Sequence, residues 1–156
     1  PSPLGMCIKN GIIYGDYMTS YSVMAVKKDG TIYTPAQGLM GKNLLAAGVK
    51  DTYNFGPVLI KDGEAQLPWA ETEKYYPRTA VGMVKPSDYV LLVTDTGRYN
   101  GLNHWDMVNI FKSYGCTYAY NLDGGGSATL YFNGKVMNKL IGNTQRPCAD
   151  FLYFTR

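Results

Sequence analysis

The chain has 156 residues, a length that fits one domain and can bury a core without disulfides. Fifteen Lys and Arg against 12 Asp and Glu leave a net charge of +3, too weak a bias to point to nucleic acid, and only 17% of residues are charged. Eighteen glycines, eight prolines and 14 tyrosines, with no apolar run near the ~18 residues of a membrane span, exclude coiled coils, disordered regulators and helical transmembrane proteins.

Turn chemistry punctuates the chain at short intervals. Asn10-Gly11, Asp29-Gly30, Asp62-Gly63 and Asn133-Gly134 each lie between apolar or β-branched runs and supply the positive φ that two-residue hairpins need. They predict pairing of Met6–Ile8 with Ile12–Tyr14, and of Tyr21–Val26 with Thr31–Thr34. A short helix is expected over Gly41–Ala47, with strand-like sequence returning at 48–51. Val58–Lys61 is expected to pair with Glu64–Leu67, followed by strands at Thr79–Val84 and Tyr89–Thr94. The clearest helix runs from an Asn103 N-cap to Tyr114. Asp106 stands near its positive end, Met107, Val108, Phe111 and Tyr114 recur at helical spacing, and Gly115 is its stop. Strands at Tyr118–Leu122, Thr129–Phe132 with Lys135–Asn138, and Phe151–Phe154 complete the reading. The fold class is therefore α+β: a hairpin-rich mixed or antiparallel sheet core with one or two packed helices, in one domain spanning 1–156.

Cys7, Cys116 and Cys148 are scattered singly and His104 is the one histidine, so zinc ribbons, thioredoxin-type sites and His-clustered metal centres are excluded. Chemistry concentrates instead at Gly124-Gly125-Gly126-Ser127, which has the composition of a flexible linker. Its place argues otherwise, because it joins two strands of a hairpin-rich unit rather than two domains. Asp123 then ends a strand, where a sheet holds a side chain in fixed geometry. The three glycines let backbone approach a ligand and offer N–H groups to an anion, and Ser127 and Thr129 add hydroxyls. The plain alternative is a bulged strand connection with no ligand. His104 with Ser127 lacks the G-x-S-x-G elbow of a hydrolase triad, and Cys116 reads as a small buried hydrophobe. Asp95, Asn121 and Asp123 do not have the carboxylate count or spacing of a calcium loop, so a divalent cation is only weakly indicated and no cofactor is expected.

Asn121-Leu122-Asp123-Gly124-Gly125-Gly126-Ser127 resembles the signature of the phosphodiester glycosidases, a family with a lysosomal member that uncovers phosphodiester-capped mannose and with many bacterial members. Flanking segments resemble the family in the same order: Phe55-Gly56-Pro57-Val58-Leu59-Ile60 with Asp62-Gly63, Arg78-Thr79-Ala80-Val81-Gly82, Val93-Thr94-Asp95 before Gly97-Arg98, and Arg146-Pro147. Two features depart from it. Asp95-Thr96-Gly97 carries a threonine where the family more often runs aspartate into glycine. The upstream Asn-Gly-Gly-Phe-Phe-like segment is absent, so the resemblance implies either a fragment of a longer protein, lacking its N-terminal portion, or a site that another piece completes.

The resemblance implies hydrolysis of a glycosyl-1-phosphodiester at the sugar C1–O bond, with a phosphorylated sugar or glycan as substrate. Such a reaction passes through an oxocarbenium-like state while charge grows on the departing phosphate. Asp123 is expected at the sugar face as nucleophile or base, with Asp95 as second carboxylate. Arg78, or secondarily Arg146, is expected on the phosphate, because a guanidinium binds phosphate bidentately and stays ionised. Asn121, Thr79, Ser127 and the N–H groups of Gly124, Gly125 and Gly126 are expected to bind substrate, and Trp69 and Tyr75-Tyr76 are candidates to stack on sugar rings. A bacterial protein of the secreted or cell-envelope class, acting on envelope or exopolysaccharide sugars, is the expected setting. The rival readings are a glycan- or phosphate-binding module without chemistry, and a metal-dependent phosphodiesterase cleaving P–O.

Overall fold

The computed structural model describes residues 4–67, 74–95 and 101–154. Three of the four turn signals behave as their chemistry requires. Asn10-Gly11, Asp62-Gly63 and Asn133-Gly134 hold both residues at positive φ (49° and 78°, 52° and 81°, 48° and 80°), the geometry whose twist matches paired strands. They close the hairpins β1 (Cys7–Lys9) with β2 (Ile12–Gly15), β6 (Val58–Lys61) with β7 (Glu64–Ala65), and β11 (Tyr131–Phe132) with β12 (Lys135–Val136). At the fourth, Asp29 uses its carboxylate to accept from Thr31 N at 2.9 Å, and only Gly30 is left-handed, at φ 83°. The result is a wider loop between β3 (Ser22–Lys27) and β4 (Ile32–Tyr33).

Two sheets form the body of the fold, and every pairing in them is antiparallel. One has the order β4-β3-β5, where β5 is Val49–Phe55. The other has the order β7-β6-β10-β8-β9, with β8 at Thr79–Lys85, β9 at Asp88–Val93 and β10 at Tyr118–Leu122. Their facing surfaces meet through Met24, Val26, Ile32 and Tyr53 on one side and Val81, Met83, Tyr118 and Tyr120 on the other. Hairpin β1–β2 and helix α1 (Gly41–Ala46) cover the outer face of the smaller sheet, where Ile8, Ala25, Leu44 and Val49 are buried. Helix α2 (His104–Ser113) covers the outer face of the larger one, burying Met107, Val108 and Phe111 against Ile60, Ala80 and Ala119. The architecture is α+β, as the turn-rich composition leads one to expect.

Helix α2 begins in a reciprocal cap: Asn103 Oδ1 accepts from Asp106 N at 2.8 Å, and Asp106 Oδ2 accepts from Asn103 N at 3.3 Å. It ends before Gly115, which takes φ 76°. Gly82 on β8 lets the helix lie close, since a Cβ there would sit 2.7 Å from Cys116 Sγ and would press on the Phe111 ring.

Three expectations change. β5 runs seven residues, whereas the sequence marks only its start, because Lys50, Asp51 and Asn54 interrupt the apolar pattern. The 129–138 and 58–67 hairpins are shorter than predicted, with two-residue outer strands. Phe151–Phe154 is no strand: it runs alongside without a ladder, held where Tyr53 Oη donates to Phe151 O at 3.2 Å and where Phe154 tilts against Tyr89. Trp69 and the Thr96-Gly97-Arg98 stretch lie outside the described residues.

Candidate active site

Strand β10 is the central strand of the larger sheet, and alternation sends its side chains to opposite faces. Tyr118 and Tyr120 enter the core between the sheets, while Ala119 faces helix α2. Asn121 follows on the helix face, and Asp123 comes one residue beyond the strand end. Asn121 is 1% exposed and tied down on three sides. Its N–H donates to Pro57 O at 3.1 Å, its carbonyl accepts from Gly56 N at 3.0 Å, and its Nδ2 donates to Gly56 O at 2.7 Å. The Gly56–Pro57 peptide is cis. Asn121 Oδ1 is buried and meets no donor among the described residues.

Asp123 is a carboxylate with three donors. Gly124 N reaches Oδ1 at 2.8 Å, Ser127 Oγ reaches Oδ2 at 2.7 Å, and the Arg146 guanidinium also donates to Oδ2. Asp123 and Arg146 are 44% and 54% exposed, so the pair stands open to solvent at the surface. The aspartate and the hydroxyl were both expected at this site. Arg146 was expected on the phosphate, and here it pairs with the carboxylate.

The glycine run is a short turn of 3-10 helix, Gly125–Ser127, rather than an open cradle. Two of its N–H groups are spent within the chain: Gly124 N on Asp123, and Gly125 N on Pro77 O at 2.8 Å. Ser127 N and Ala128 N also turn inward, to Gly124 O and Gly125 O. The glycines therefore serve close packing first. A Cβ at Gly124 would collide with the Pro77 carbonyl oxygen, and Gly125 takes φ 57°.

That packing brings the Arg78 backbone beside the glycine turn, where a Cβ on Gly124 would lie 3.5 Å from Arg78 Cα. Leu122 pairs with Thr79 across β10 and β8, so Arg78 sits opposite the start of the glycine loop. Its Nε donates to Leu102 O and its Nη2 to Lys74 O, each at 3.0 Å, and its guanidinium lies 5.3 Å from the Tyr76 ring centre. Burial lowers its pKa below the ordinary value, while Tyr76 works in the opposite direction. Two of the five N–H donors are thereby committed to holding the group in place. Thr79 Oγ1 is buried without a partner among the described residues. Asp95 is drawn towards the C-terminal segment, its Oδ2 accepting from Lys139 N at 3.0 Å.

A cavity of about 390 Å³ opens next to Arg78. Residues 20–22 line it on one side and 55–57 on another, with Arg78, His104 and Asn121 between them. Its volume is in the lower part of the roughly 300–1,000 Å³ typical of ligand pockets. His104 is buried at the first position of α2 and belongs to this wall, a placement that suits packing and pocket shape. Tyr21 and Phe55 stack at 5.9 Å with their planes 9° apart. Sequence reasoning did not single out residues 20–22. Their only signal is that Phe55-Gly56-Pro57, which they pack against, was already part of a recognisable segment. Tyr75 and Tyr76 are about half exposed, and Tyr76 serves as the platform under Arg78. Among the described residues, no group of three or more His, Cys, Asp or Glu could hold a metal ion.

Comparison with known proteins bears on this arrangement. A family model described as phosphodiester glycosidase matches residues 1–155. The SPbeta prophage-derived uncharacterized protein YomE of Bacillus subtilis is 31% identical over 160 residues, which is 96% of this chain and 25% of that protein. Mouse N-acetylglucosamine-1-phosphodiester alpha-N-acetylglucosaminidase is 28% identical over 156 residues, which is 83% of this chain and 29% of that protein. The fold is similar to the catalytic domain of the zebrafish protein of the same name, solved in a form auto-inhibited by its pro-peptide. There the TM-score is 0.72 and the identity 24%, covering 88% of this chain and 50% of that one. The chain thus spans between a quarter and a half of the length of these relatives.

Proposed function

The chain belongs to the phosphodiester glycosidase family, and on that premise we propose that it takes part in hydrolysis of a glycosyl-1-phosphodiester, with water replacing phosphate at the sugar C1. The observation that carries this reading is the Asp123 carboxylate at the end of β10, with Arg146 on one of its oxygens and Arg78 across the strand. A carboxylate paired with one guanidinium, with a second arginine on the neighbouring strand, suits a substrate whose reacting carbon becomes cationic as its leaving group becomes anionic. Asp123 acts at C1 as nucleophile or as base for water. Ser127 and Gly124 hold its two oxygens so that the carboxylate does not rotate. Arg146 moves from Asp123 to the phosphate when the anion arrives, and Arg78 adds a second, more rigid positive charge. Phosphate monoesters leave readily, so charge stabilisation counts for more than full protonation of the leaving oxygen.

Asp95 remains the candidate second carboxylate, and in this chain its bond to Lys139 N also positions the segment that carries Arg146. N-acetylglucosamine is the first sugar to test, because it is the sugar in the names of the mouse and zebrafish relatives. The reading requires no cofactor. The protein is proposed to act outside the cytoplasm, on envelope or exported glycans.

The test is turnover of N-acetylglucosamine 1-(methyl phosphate) in ¹⁸O-water, by this chain and by a longer form carrying its flanking sequence. Label should appear on the sugar, and Asp123→Asn should lower kcat by about 10³-fold or more while leaving binding within about twofold. Label on phosphate would instead make the protein a P–O phosphodiesterase. Saturable binding without turnover in either form would make it a binding module.

A further inference from the structure

We propose that the outer edge of β9 is a self-association surface, along which two copies of the chain pair antiparallel about a two-fold axis at Leu91. The ladder with β8 decides which backbone groups are available. Thr94 N donates to Arg78 O at 2.9 Å, and the register then runs unbroken from Thr79↔Val93 to Met83↔Tyr89. Antiparallel pairs alternate between bonded and non-bonded, so Val90 and Leu92 spend their backbone groups on β8. Those of Tyr89, Leu91 and Val93 point away from it, and no strand among the described residues pairs with them there. The whole of β9 lacks a buried residue, in contrast to four in each of β8 and β10.

Other sheet edges are short or covered. β4 and β7 have two residues each, and β5 is met by the β1–β2 hairpin, where Gly11 N donates to Lys50 O at 2.8 Å. β9 has six residues and none of the usual guards: no proline, no lysine, and one charge, Asp88, at its start. Leu91 faces the smaller sheet, yet that three-stranded sheet leaves it 46% exposed. Tyr89 is already fixed, with its Oη donating to Gly30 O at 2.5 Å and its ring tilted against Phe154.

A two-fold axis lets one edge serve as both halves of the contact. With the axis at Leu91, every outward residue finds an outward partner. Leu91 faces Leu91 of the other copy, Tyr89 faces Val93, and such pairs exchange both backbone hydrogen bonds. Asp88 then faces Thr94, so no like charges confront each other. Moving the axis to Val90 sets Val93 opposite Ser87, whose N–H already goes to Gly30 O at 3.2 Å. Moving it to Leu92 sets Tyr89 opposite Asp95, beyond the strand end. One added ladder buries less than the roughly 1,200–2,000 Å² of a standard interface, so the dimer forms at micromolar concentration and dissociates on dilution.

Sedimentation equilibrium over a micromolar-to-millimolar series tests this with wild type, Leu91→Lys, Leu91→Glu and an equimolar mixture of the two variants. Leu91 is half exposed, so both variants should keep the melting temperature of the dilute wild type. Wild type should dimerise. Each variant alone should weaken dimerisation about tenfold or more, because like charges then meet at the axis, and the mixture should return to within about threefold of wild type. Amide exchange at Leu91 and Val93 should be slow in concentrated solution and fast on dilution. A wild type that stays monomeric throughout would overturn the proposal, as would a dimer indifferent to both variants. Lost association that the mixture does not restore would show that β9 does not face itself. A longer form carrying flanking sequence, monomeric with both amides protected at every dilution, would also overturn it, because another strand of the same polypeptide would then hold the edge. None of these outcomes depends on hydrolysis.

Discussion

The two ends of the Asp123–Arg146 pair are held by different kinds of structure. Asp123 follows a central strand with four of five residues buried, and the turn after it packs on Pro77. Arg146 sits on an exposed segment from 137 to 150 that has one short 3-10 turn and no ladder to either sheet. That segment is pinned at a few polar points. Asn138 Oδ1 accepts from Leu130 N at 2.7 Å, and its Nδ2 donates to Ala128 O at 2.8 Å. Lys139 N donates to Asp95, and Asp150 pairs with Lys9 at 2.7 Å. The carboxylate is thus placed by burial, and the guanidinium by individual hydrogen bonds. Damage to the core should lower stability without changing the site in molecules that remain folded. Damage to the pins should do the reverse.

The largest effect on the sheet side is expected from Gly82→Ala. The added methyl group meets Phe111 and Cys116 between β8 and α2, and overpacking of this kind costs about 1–3 kcal/mol. Thermal unfolding should shift down by several degrees, with activity per folded molecule unchanged. An unchanged melting temperature would mean that helix α2 is free to move away from the sheet, and the contrast drawn above would fail.

On the segment side, Asn138→Ala removes two hydrogen bonds that lie near the surface, where water can replace them, at a cost of about 1 kcal/mol or less. Its expected effect is on function: on the proposed reading, KM for a phosphodiester should rise about three- to tenfold with kcat little changed, because Arg146 would no longer be held beside Asp123. Equal losses of stability and activity would show that the segment belongs to the cooperative core. Asp95→Asn is a companion to this variant. It weakens the acceptor for Lys139 N, and a fall in kcat well beyond the Asn138→Ala effect would identify Asp95 as a chemical group in addition to its role as a pin.

The same contrast explains how much was legible in the sequence. Hairpins with Asn-Gly or Asp-Gly turns and helix α2 with its cap could be read because each is decided by local chemistry within a few residues. The Asp123 strand end was legible for the same reason. β5 was not, since its polar residues are satisfied at long range: Asp51 Oδ1 accepts from Asn10 N, and the buried Thr52 hydroxyl both accepts from Ile8 N and donates to Met6 O. The Arg146 pairing spans 23 residues of mostly irregular chain, and no spacing rule announces it. The cavity was hidden because its walls come from five separate stretches, and none of residues 20–22 carries a motif.

The smallest effect is expected where the segment is pinned by charge. Lys9 Nζ lies 2.7 Å from Asp150 Oδ2, but it also donates to Thr52 O at 2.9 Å and lies 3.4 Å from the centre of the Tyr53 ring. Removing Asp150 leaves the ammonium with a carbonyl and an aromatic face, so it is not stranded. Asp150 is 42% exposed, so water also screens its side of the pair. Asp150→Asn should therefore cost only a few tenths of a kcal/mol at low salt, and that difference should fade near 1 M salt, where the screening length falls to about 3 Å. Lys9→Met keeps the aliphatic stem over Tyr53 but deletes all three polar and cation–π contacts, so it should cost more than Asp150→Asn at every salt concentration. If the two variants proved equal, and equally salt-sensitive, the ion pair alone would be holding this part of the segment. Charge would then have to replace the backbone and ring contacts as the reason Lys9 is ordered.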